Sequence, residues 1–326
     1  PDGSDLRFIA DDDLTPLEFE IELYDGLAGV ASIWIKLPRL DPATPESSFW
    51  MYYGNDAVTG SASSPAAWDV NQTAVYHFAE RAGLPTDATA FGHEMARSSA
   101  TAGGSGIVGS GLALAADQGF ELPATPALAL DPSQGDTWSL WIRPASLAEE
   151  SLLISRDSAR GGLRIGLTGL QLFMEQIART EGEEPEAQRL DTGVSLAQNR
   201  WQHLAISFSD DGTRIFIDGS LSAELEYVAP RISGTLRFGA DNERPGFAGD
   251  IDELRLANIA RPEAWISLQA RMQAQDALIV LPGEDESRDA AEGLGEYLGL
   301  LWALLGAVRL EGWIIIGLLV LMGILS

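Results

Sequence analysis

The sequence contains no cysteine and has few basic side chains. Its 326 residues carry 48 acidic and 21 basic side chains, which gives a net charge of -27. Without cysteine the chain can form neither disulfides nor thiolate zinc sites. Phosphate backbones are bound chiefly by clusters of Lys and Arg, so the charge excludes nucleic acid as a partner.

Helical periodicity and targeting signals are also scarce. The chain starts at Pro1 without an initiator methionine and without the basic and apolar segments of a signal peptide. We therefore expect any signal peptide to lie upstream of this sequence. Short segments with alternating apolar residues, separated by Gly, Pro and Asp, occupy most of the chain and predict a mainly β protein.

The first 73 residues predict a β module. Aromatic and β-branched residues alternate with polar ones in three segments, "PLEFEIELYDG", "ASIWIKLPRL" and "SFWMYYGN". Glu18, Glu20 and Glu22 fall on one face of the first segment. A carboxylate pair of a hydrolase is one interpretation of such alternation. We favour a solvated strand face.

Residues 74–275 predict a larger β-sandwich. The segment "TWSLWIRP" places Trp138, Leu140 and Ile142 on one strand face and Trp141 and Arg143 on the other. "NRWQHLAISFSDDGTRIFIDGS" predicts a hairpin around Asp211-Gly212, and "FAGDIDELRLANIARP" predicts a further strand. The charged stretch "ARTEGEEPEAQRLDTG" predicts a solvated loop.

Several motifs in this region resemble one family when they are taken together in their order and spacing. They are Val75-Tyr76-His77-Phe78, Gly109 to Leu114, Trp201 to Leu204, Phe216 to Gly219 and Gly249 to Leu254. Together they resemble the laminin-G-like, concanavalin A-like jelly roll. The region before it resembles the domain of unknown function numbered 2341. That family is longer at its N-terminal end, so we expect its first strands to be missing here.

We predict no enzymatic activity, no catalytic residue and no required cofactor. Jelly-roll glycosidases need two carboxylates alternating on one strand. The nearest candidates are Asp250, Asp252 and Glu253, but their spacing resembles the closing strand of laminin-G modules more than the hydrolase pattern. The three histidines, His77, His93 and His203, are scattered among strand and loop motifs, and we interpret them as structural.

The laminin-G resemblance implies calcium as a candidate ligand. Calcium in such modules is held by carboxylates and backbone carbonyls at the rim of the sandwich. The loop acids that fit this role are Asp117, Asp157, Asp218 and Asp241. Their spacing is not diagnostic, and the alternative is that each Asp simply forms a turn.

The C-terminal segment is apolar and predicts a membrane element. Residues 276–296 form an acidic linker. Residues 297–311 predict an amphipathic helix at the membrane surface, and residues 312–326 predict the start of a transmembrane helix, because that stretch spans only about 20 Å of the ~30 Å hydrocarbon core. A bend between them keeps Arg309 and Glu311 out of the hydrocarbon and leaves Trp302 and Trp313 at the headgroups. The alternative is a soluble hairpin of two core helices.

The order of these parts resembles the N-terminal part of large members of the MotA/TolQ/ExbB proton-channel family. This resemblance implies residues 1–296 in the periplasm, an anchor in the bacterial inner membrane, contact with membrane lipid and a homo-oligomer, expected to be a pentamer. It also implies a single-span ExbD/TolR-like partner and a motor or transport complex driven by proton motive force. The alternative is a membrane-tethered module that binds a periplasmic glycan or protein, without channel activity.

Overall fold

The computed structural model describes most of the chain in two units, residues 1–279 and residues 280–326. The described ranges are 2–40, 47–55, 57–58, 60, 63–80, 82–145, 148–159, 161–241, 244–274 and 280–285. In the second unit only residues 280–285 are described, and they form neither helix nor strand. The predicted membrane segments at 297–311 and 312–326 lie outside the described residues.

The N-terminal module consists of two small antiparallel sheets. Its strands are β1 (Arg7–Ala10), β2 (Phe19–Asp25), β3 (Val30–Ile35) and β4 (Phe49–Tyr52). β1 pairs with β4, and β2 pairs with β3. Leu6, Phe8, Leu17 and Phe19 form a small separate core between them. The predicted strands of this region are therefore present.

In its described residues, the rest of the first unit is a sandwich of two larger sheets with one α-helix. Its elements in chain order are β5 (Gln72–Tyr76), β6 (Arg97–Ser98), β7 (Thr101–Ser105), β8 (Ser110–Leu114), β9 (Gly119–Leu122), β10 (Asp136–Pro144), β11 (Ser151–Ser158), β12 (Gly161–Thr168), β13 (Gln171–Ala178), β14 (Glu186–Ser195), β15 (Gln202–Ser209), β16 (Gly212–Ile217), β17 (Ser220–Leu225), β18 (Leu236–Gly239), β19 (Gly249–Ala257) and α1 (Glu263–Gln273).

The two sheets differ in how they are assembled. One has the order β17-β16-β15-β10-β19-β8-β7, and β5 pairs with β19 beside β8 on the same edge of that strand. The other has the order β14-β13-β12-β11-β18-β9-β6. β19 is thus the central strand of the eight-stranded sheet, because it contacts β10 along one edge and β8 and β5 along the other.

The inner faces of the two sheets enclose the main hydrophobic core. Trp138, Leu140 and Ile142 of β10 and Leu204, Ile206 and Phe208 of β15 all point into it. This is the face that their alternation predicts. The hairpin predicted around Asp211-Gly212 joins β15 to β16. The mainly β, concanavalin-like jelly roll is confirmed.

Two elements differ from the sequence-based expectation. The predicted loop in "ARTEGEEPEAQRLDTG" is half strand, because β14 pairs with β13 as a largely exposed edge strand. Charged side chains are common on edge strands, where they discourage pairing with another chain. The helix α1 was not predicted, because its buried stripe, Ile266, Gln269, Ala270 and Gln273, is half glutamine and gives little hydrophobic periodicity.

A bulge in β19 turns two consecutive acidic side chains away from the core. Ser139 of β10 pairs with Arg255 of β19, and Trp141 pairs with Asp252, so β19 has one more residue than β10 between these two pairs. Glu253 lies in this bulge and has a φ of 51°. Ile251 and Leu254 both reach the core, although a regular strand would place residues three apart on opposite faces.

A search of the described residues for a helix long and apolar enough to cross a membrane finds none.

Candidate functional site

The outer face of the eight-stranded sheet is polar and yet buried. Its side chains include Ser139, Trp141, His203, Arg255 and Glu253, each less than a tenth exposed. Two elements cover this face. The helix α1 packs Ile266 against Ala205 and Phe216, and Gly219 (φ 77°) allows the turn after β16 to approach it, since a Cβ there would lie 2.8 Å from Ser267 Cα.

The N-terminal module covers the other part of this face through a group of charged residues. We call this group the seam cluster, and it comprises Glu20 and Glu22 of β2, His77 just after β5, and Glu253 and Arg255 of β19. His77 Nδ1 lies 2.6 Å from Glu253 Oε1 and 3.5 Å from Glu22 Oε2. Arg255 Nη2 donates to Glu253 Oε2 at 2.7 Å. Both domains therefore contribute charges to one buried site.

Three indole rings and an amide orient the carboxylates of the seam cluster. Trp34 Nε1 donates to Glu22 at 2.8 Å, and Trp68 Nε1 donates to Glu20 at 2.5 Å. The Arg255 guanidinium lies 4.2 Å from the Trp34 ring centroid and 4.7 Å from that of Trp68. From the helix side, Gln273 donates to Glu253 at 3.2 Å and accepts from Trp141 Nε1 at 2.6 Å.

Burial and mutual charge shift the proton affinities in this site. Burial, together with the Glu253 carboxylate, raises the pKa of Glu22 to about 7. Burial by itself would lower the pKa of His77, but the Glu253, Glu20 and Glu22 carboxylates outweigh it and raise that pKa to about 10. Burial opposes ionisation of Glu253, yet His77 and Arg255 lower its pKa.

Two neighbouring groups complete the polar layer. Asp252 Oδ2 accepts from the backbone N–H groups of Ile107 and Val108 at 2.8 and 3.1 Å. Burial and the charge of Glu253 raise the pKa of Asp252 well above its usual range. His203 is fully buried, packs edge-to-face on Trp141, and has no hydrogen-bond partner at either ring nitrogen. Burial, together with Arg255, lowers its pKa to about 3.

An open cleft lies beside this buried layer. Its volume is about 450 Å³, and its walls include Trp141, Trp201, Arg200, Asp218 and Arg271. The elements that form it are the start of β15, the turn after β16 and the last turn of α1. Arg200 pairs with Asp218 at 3.1 Å, with both side chains more than a third exposed. The cleft therefore combines aromatic surface with accessible hydrogen-bonding groups of both charges.

The structure separates the four aspartates predicted as calcium ligands. Three are paired with arginine: Asp157 with Arg179, Asp218 with Arg200, and Asp241 with Arg164. Asp117 lies exposed in the turn between β8 and β9. Of the residues described, the one group of three metal-ligating side chains with ligand atoms within 4.8 Å of one another is Glu22, His77 and Glu253. It contains none of the predicted aspartates.

The solvated-face interpretation of the first strand holds for Glu18 and is wrong for the other two glutamates. Glu18 is exposed, whereas the Glu20 and Glu22 side chains are 16% and 1% exposed. These two side chains are covered because both contact His77, just after β5, and Glu22 also lies beside Glu253 of β19. Asp250 pairs with Arg143 at 2.7 Å. The predicted membrane-interface residues, Trp302, Arg309, Glu311 and Trp313, lie outside the described residues.

A second charged group lies on the outer face of the other sheet. Arg244 contacts Glu175 at 3.0 Å and Glu150 at 3.1 Å, and Arg164 lies 3.5 Å from Glu175. Each of these carboxylates has an arginine partner, so the group has the composition of a structural ion-pair network. No sequence signal marked it, because its members come from separate strands and loops.

Sequence reasoning missed both the seam cluster and the cleft as sites. Trp141, Trp201, Asp218 and His77 all belong to motifs that it used for fold assignment. The local signals for the seam were the acidic alternation at Glu20 and Glu22 and the acidic pair Asp252-Glu253. His77 and Glu253 are distant from Glu20 and Glu22 in the sequence, so only the tertiary contacts of these side chains reveal the cluster.

Comparisons with solved structures find similar folds at low identity. The binding domain of botulinum neurotoxin serotype G is 16% identical with a TM-score of 0.48, over 62% of this chain and 51% of that one. The receptor binding domain of botulinum neurotoxin D is 14% identical with a TM-score of 0.47, over 62% and 53%. The chain thus spans about half the length of these structures. Comparison with curated proteins finds no match.

Two family models match separate parts of the chain. Residues 2–91 match a domain of unknown function, DUF2341. Residues 114–267 match the model described as the concanavalin A-like lectin/glucanases superfamily. Neither match identifies a MotA/TolQ/ExbB relationship. The chain is therefore similar to DUF2341 over residues 2–91 and to the concanavalin A-like lectin/glucanases superfamily over residues 114–267.

Proposed function

We propose that this protein is a glycan-binding module without catalytic activity, and that the cleft beside α1 is its binding site. The observation that carries the proposal is the composition of the cleft. Its volume of about 450 Å³ falls within the range of about 300–1,000 Å³ usual for small-molecule sites. Trp201 supplies the accessible aromatic surface beside the buried Trp141, and Arg200, Asp218 and Arg271 supply charged groups.

Such a combination suits a sugar ring. The C–H groups on one face of a pyranose are apolar and weakly positive, so they pack favourably on the negative face of an indole. Its hydroxyl groups can donate to a carboxylate and accept from a guanidinium. Both are charge-assisted hydrogen bonds, which are stronger than those between neutral groups. Arg143 lies 5.2 Å from the Trp201 centroid and holds the ring against the sheet.

The non-enzymatic part of the proposal rests on the same site. Glycoside hydrolysis canonically uses two carboxyl groups that flank the scissile bond. Among the named wall residues, Asp218 is the one carboxylate, so they include no carboxyl pair; its Oδ1 accepts from the His203 backbone N–H at 2.9 Å, and its partly exposed Oδ2, beside Arg200, is left to accept from a sugar hydroxyl. Binding is the chemistry that this arrangement supports.

The cellular placement of the module remains a prediction from the sequence. That prediction is a periplasmic head on a bacterial inner-membrane protein, and an oligomeric ring would multiply a weak glycan site by avidity. The channel function, with its ExbD/TolR-like partner, has no supporting observation among the described residues. A membrane-tethered binding module is therefore the function that we put forward.

The proposal is tested by glycan-array screening of the chain, followed by titration calorimetry with the best ligand. We expect saturable binding that Trp201→Ala weakens about tenfold or more, because hot-spot aromatic side chains contribute at least 1.4 kcal/mol to binding. Trp50→Ala is the matched control, since Trp50 is 40% exposed on the N-terminal module. If Trp201→Ala leaves glycan binding unchanged, the binding site is not this cleft. If the chain binds a protein and no glycan, the proposed ligand class is wrong.

A further inference from the structure

We propose that the seam cluster is a binding site for one divalent transition-metal ion, with Glu22, His77 and Glu253 as its protein ligands. The three side chains come from β2, from the residue after β5 and from β19. Their ligand atoms all lie within 4.8 Å of one another. An ion here would join the DUF2341 domain to the jelly roll. The site is separate from the proposed glycan cleft.

The donor set indicates the class of metal. One imidazole nitrogen with two carboxylate oxygens is typical of Zn²⁺ and related first-row ions, whereas Ca²⁺ and Mg²⁺ prefer oxygen ligands throughout. His77 Nδ1 faces Glu253 Oε1 at 2.6 Å and Glu22 Oε2 at 3.5 Å. An ion between them replaces the His77–Glu253 hydrogen bond by two bonds of about 2.0–2.2 Å.

Three buried atoms in the cluster have no hydrogen-bond partner, Arg255 Nε and one atom in each of two proposed ligands. Glu22 Oε1 is one, in a side chain that is 1% exposed. His77 Nε2 is the other, in a side chain that is 8% exposed, and it lies 3.6 Å from Glu20 Oε2. Buried polar atoms without partners cost about 1–3 kcal/mol each. Such atoms are uncommon in folded proteins, and a bound ion is one way in which they are satisfied.

Neighbouring donors hold the carboxylates in place in the manner of metal sites. Arg255 and Gln273 both donate to Glu253 Oε2, which leaves Oε1 to face His77. Trp34 donates to Glu22 Oε2, the oxygen that faces His77, and so fixes the orientation of that carboxylate. Hydrogen bonds of this kind orient metal ligands, and removing one typically costs about 10–100-fold in affinity.

Charge and backbone geometry point the same way. Four carboxyl groups, those of Glu20, Glu22, Asp252 and Glu253, lie around this site, and the cations that contact them among the described residues are His77 and Arg255. A divalent cation would displace the His77 proton and take its place between the Glu22 and Glu253 carboxylates. Glu253 also adopts a φ of 51° within a central strand, which is a strained conformation of the type that concentrates at functional sites.

The test is titration calorimetry of the full chain with ZnCl₂ at neutral pH, after a chelator has been used and removed. We expect one Zn²⁺ per chain, a raised unfolding temperature and at least about tenfold weaker binding of Ca²⁺ and Mg²⁺. Co²⁺ provides a second readout, because its visible spectrum reports imidazole and carboxylate coordination. A folded wild-type chain that shows no saturable Zn²⁺ binding overturns the proposal.

Variants assign the ligands. His77→Gln and Glu22→Gln should each weaken Zn²⁺ binding about tenfold or more. The matched control is His93→Gln, since His93 lies outside the cluster and stacks on Phe91. Glu22→Gln is the variant expected to fold best, because Glu22 Oε1 has no partner to lose. Zn²⁺ affinity that is unchanged in Glu22→Gln and His77→Gln but reduced in His93→Gln also overturns the proposal.

Discussion

The two faces of the eight-stranded sheet are both buried, the inner one by apolar contacts and the outer one by polar and charged contacts. On the inner face, Leu140, Leu204 and Leu254 meet the apolar residues of the facing sheet. On the outer face, the alternate residues of the same strands, Ser139, His203 and Arg255, are buried just as deeply under α1 and the N-terminal module. Side chains that are equally buried on the two faces are thus stabilised by different interactions, apolar packing on one and hydrogen bonds and ion pairs on the other.

The difference lies in how specific the contacts must be. Apolar burial stabilises roughly in proportion to area and tolerates many partners. A buried charge stabilises only when its particular partner is in place, because an unpaired one keeps its full desolvation cost. The inner face therefore provides most of the free energy of folding, and the outer face determines which elements dock and in which register. Four substitutions test this division.

The largest effect is expected from the inner face. Phe208 is fully buried and meets the Trp138 ring edge-to-face at 5.1 Å between centroids. Phe208→Ala should lower the free energy of unfolding by about 3–5 kcal/mol, through lost transfer energy and the cavity left behind. Urea denaturation measures it. Leu221→Ala is the control, since Leu221 is 42% exposed and should change stability by no more than about 0.5 kcal/mol. Similar values for both would contradict a packed inner face.

Next comes the loss of one partner in the seam cluster. Arg255→Met keeps most of the side-chain volume but leaves the buried Glu253 carboxylate without its guanidinium. We expect a loss of about 3 kcal/mol, the lower end of the range for broken buried ion pairs. The measurement is urea denaturation with a chelator present, so that no cation substitutes for the arginine. A stability equal to wild type would mean that the outer face is no more specific than the inner one.

The third prediction concerns pH and His203. Its pKa is lowered to about 3 from the ordinary 6.5, so the unfolded chain binds a proton that the folded chain excludes. This contribution to stability is complete above pH 6.5 and declines as the pH falls from 6.5 towards about 3, by about 1.4 kcal/mol per unit.

His203→Phe should remove that decline, since neither ring nitrogen has a hydrogen bond to lose. The variant should therefore gain about 2 kcal/mol on wild type between neutral pH and about pH 5. Denaturation curves of both proteins at several pH values give the comparison. Parallel pH profiles for wild type and His203→Phe would show that another group causes the acid sensitivity.

The smallest effect is expected where a charge pair is exposed. Arg214 and Glu224 pair at 2.8 Å on β16 and β17, with side chains 57% and 61% exposed. Glu224→Gln should cost about 0.5 kcal/mol or less, and added salt should abolish the difference. A loss as large as that of Arg255→Met would mean that burial does not separate the two kinds of pair.

Sequence reasoning succeeded where the fold depends on local alternation. The faces of β10 and β15, the hairpin at Asp211-Gly212 and the jelly roll all follow from side-chain periodicity and turn residues. It failed at β14, where an exposed edge strand has the composition of a loop, and at α1, where Gln269 and Gln273 bond to Ser139 and Glu253. It failed again at Glu20 and Glu22, because a strand face that another domain covers has the same pattern as one that faces water.

The sequence by itself determined the fold class, the absence of disulfides and thiol chemistry, and the inner faces of the strands, because each of these depends on residue type and spacing along the chain. Only the tertiary structure decided that His77 meets Glu22 and Glu253, and that Trp201 lines a cleft with Arg271. Those contacts join residues far apart in the sequence, and they depend on a one-residue bulge in β19 and on the packing of β2 and α1 against one sheet. No local pattern encodes that packing.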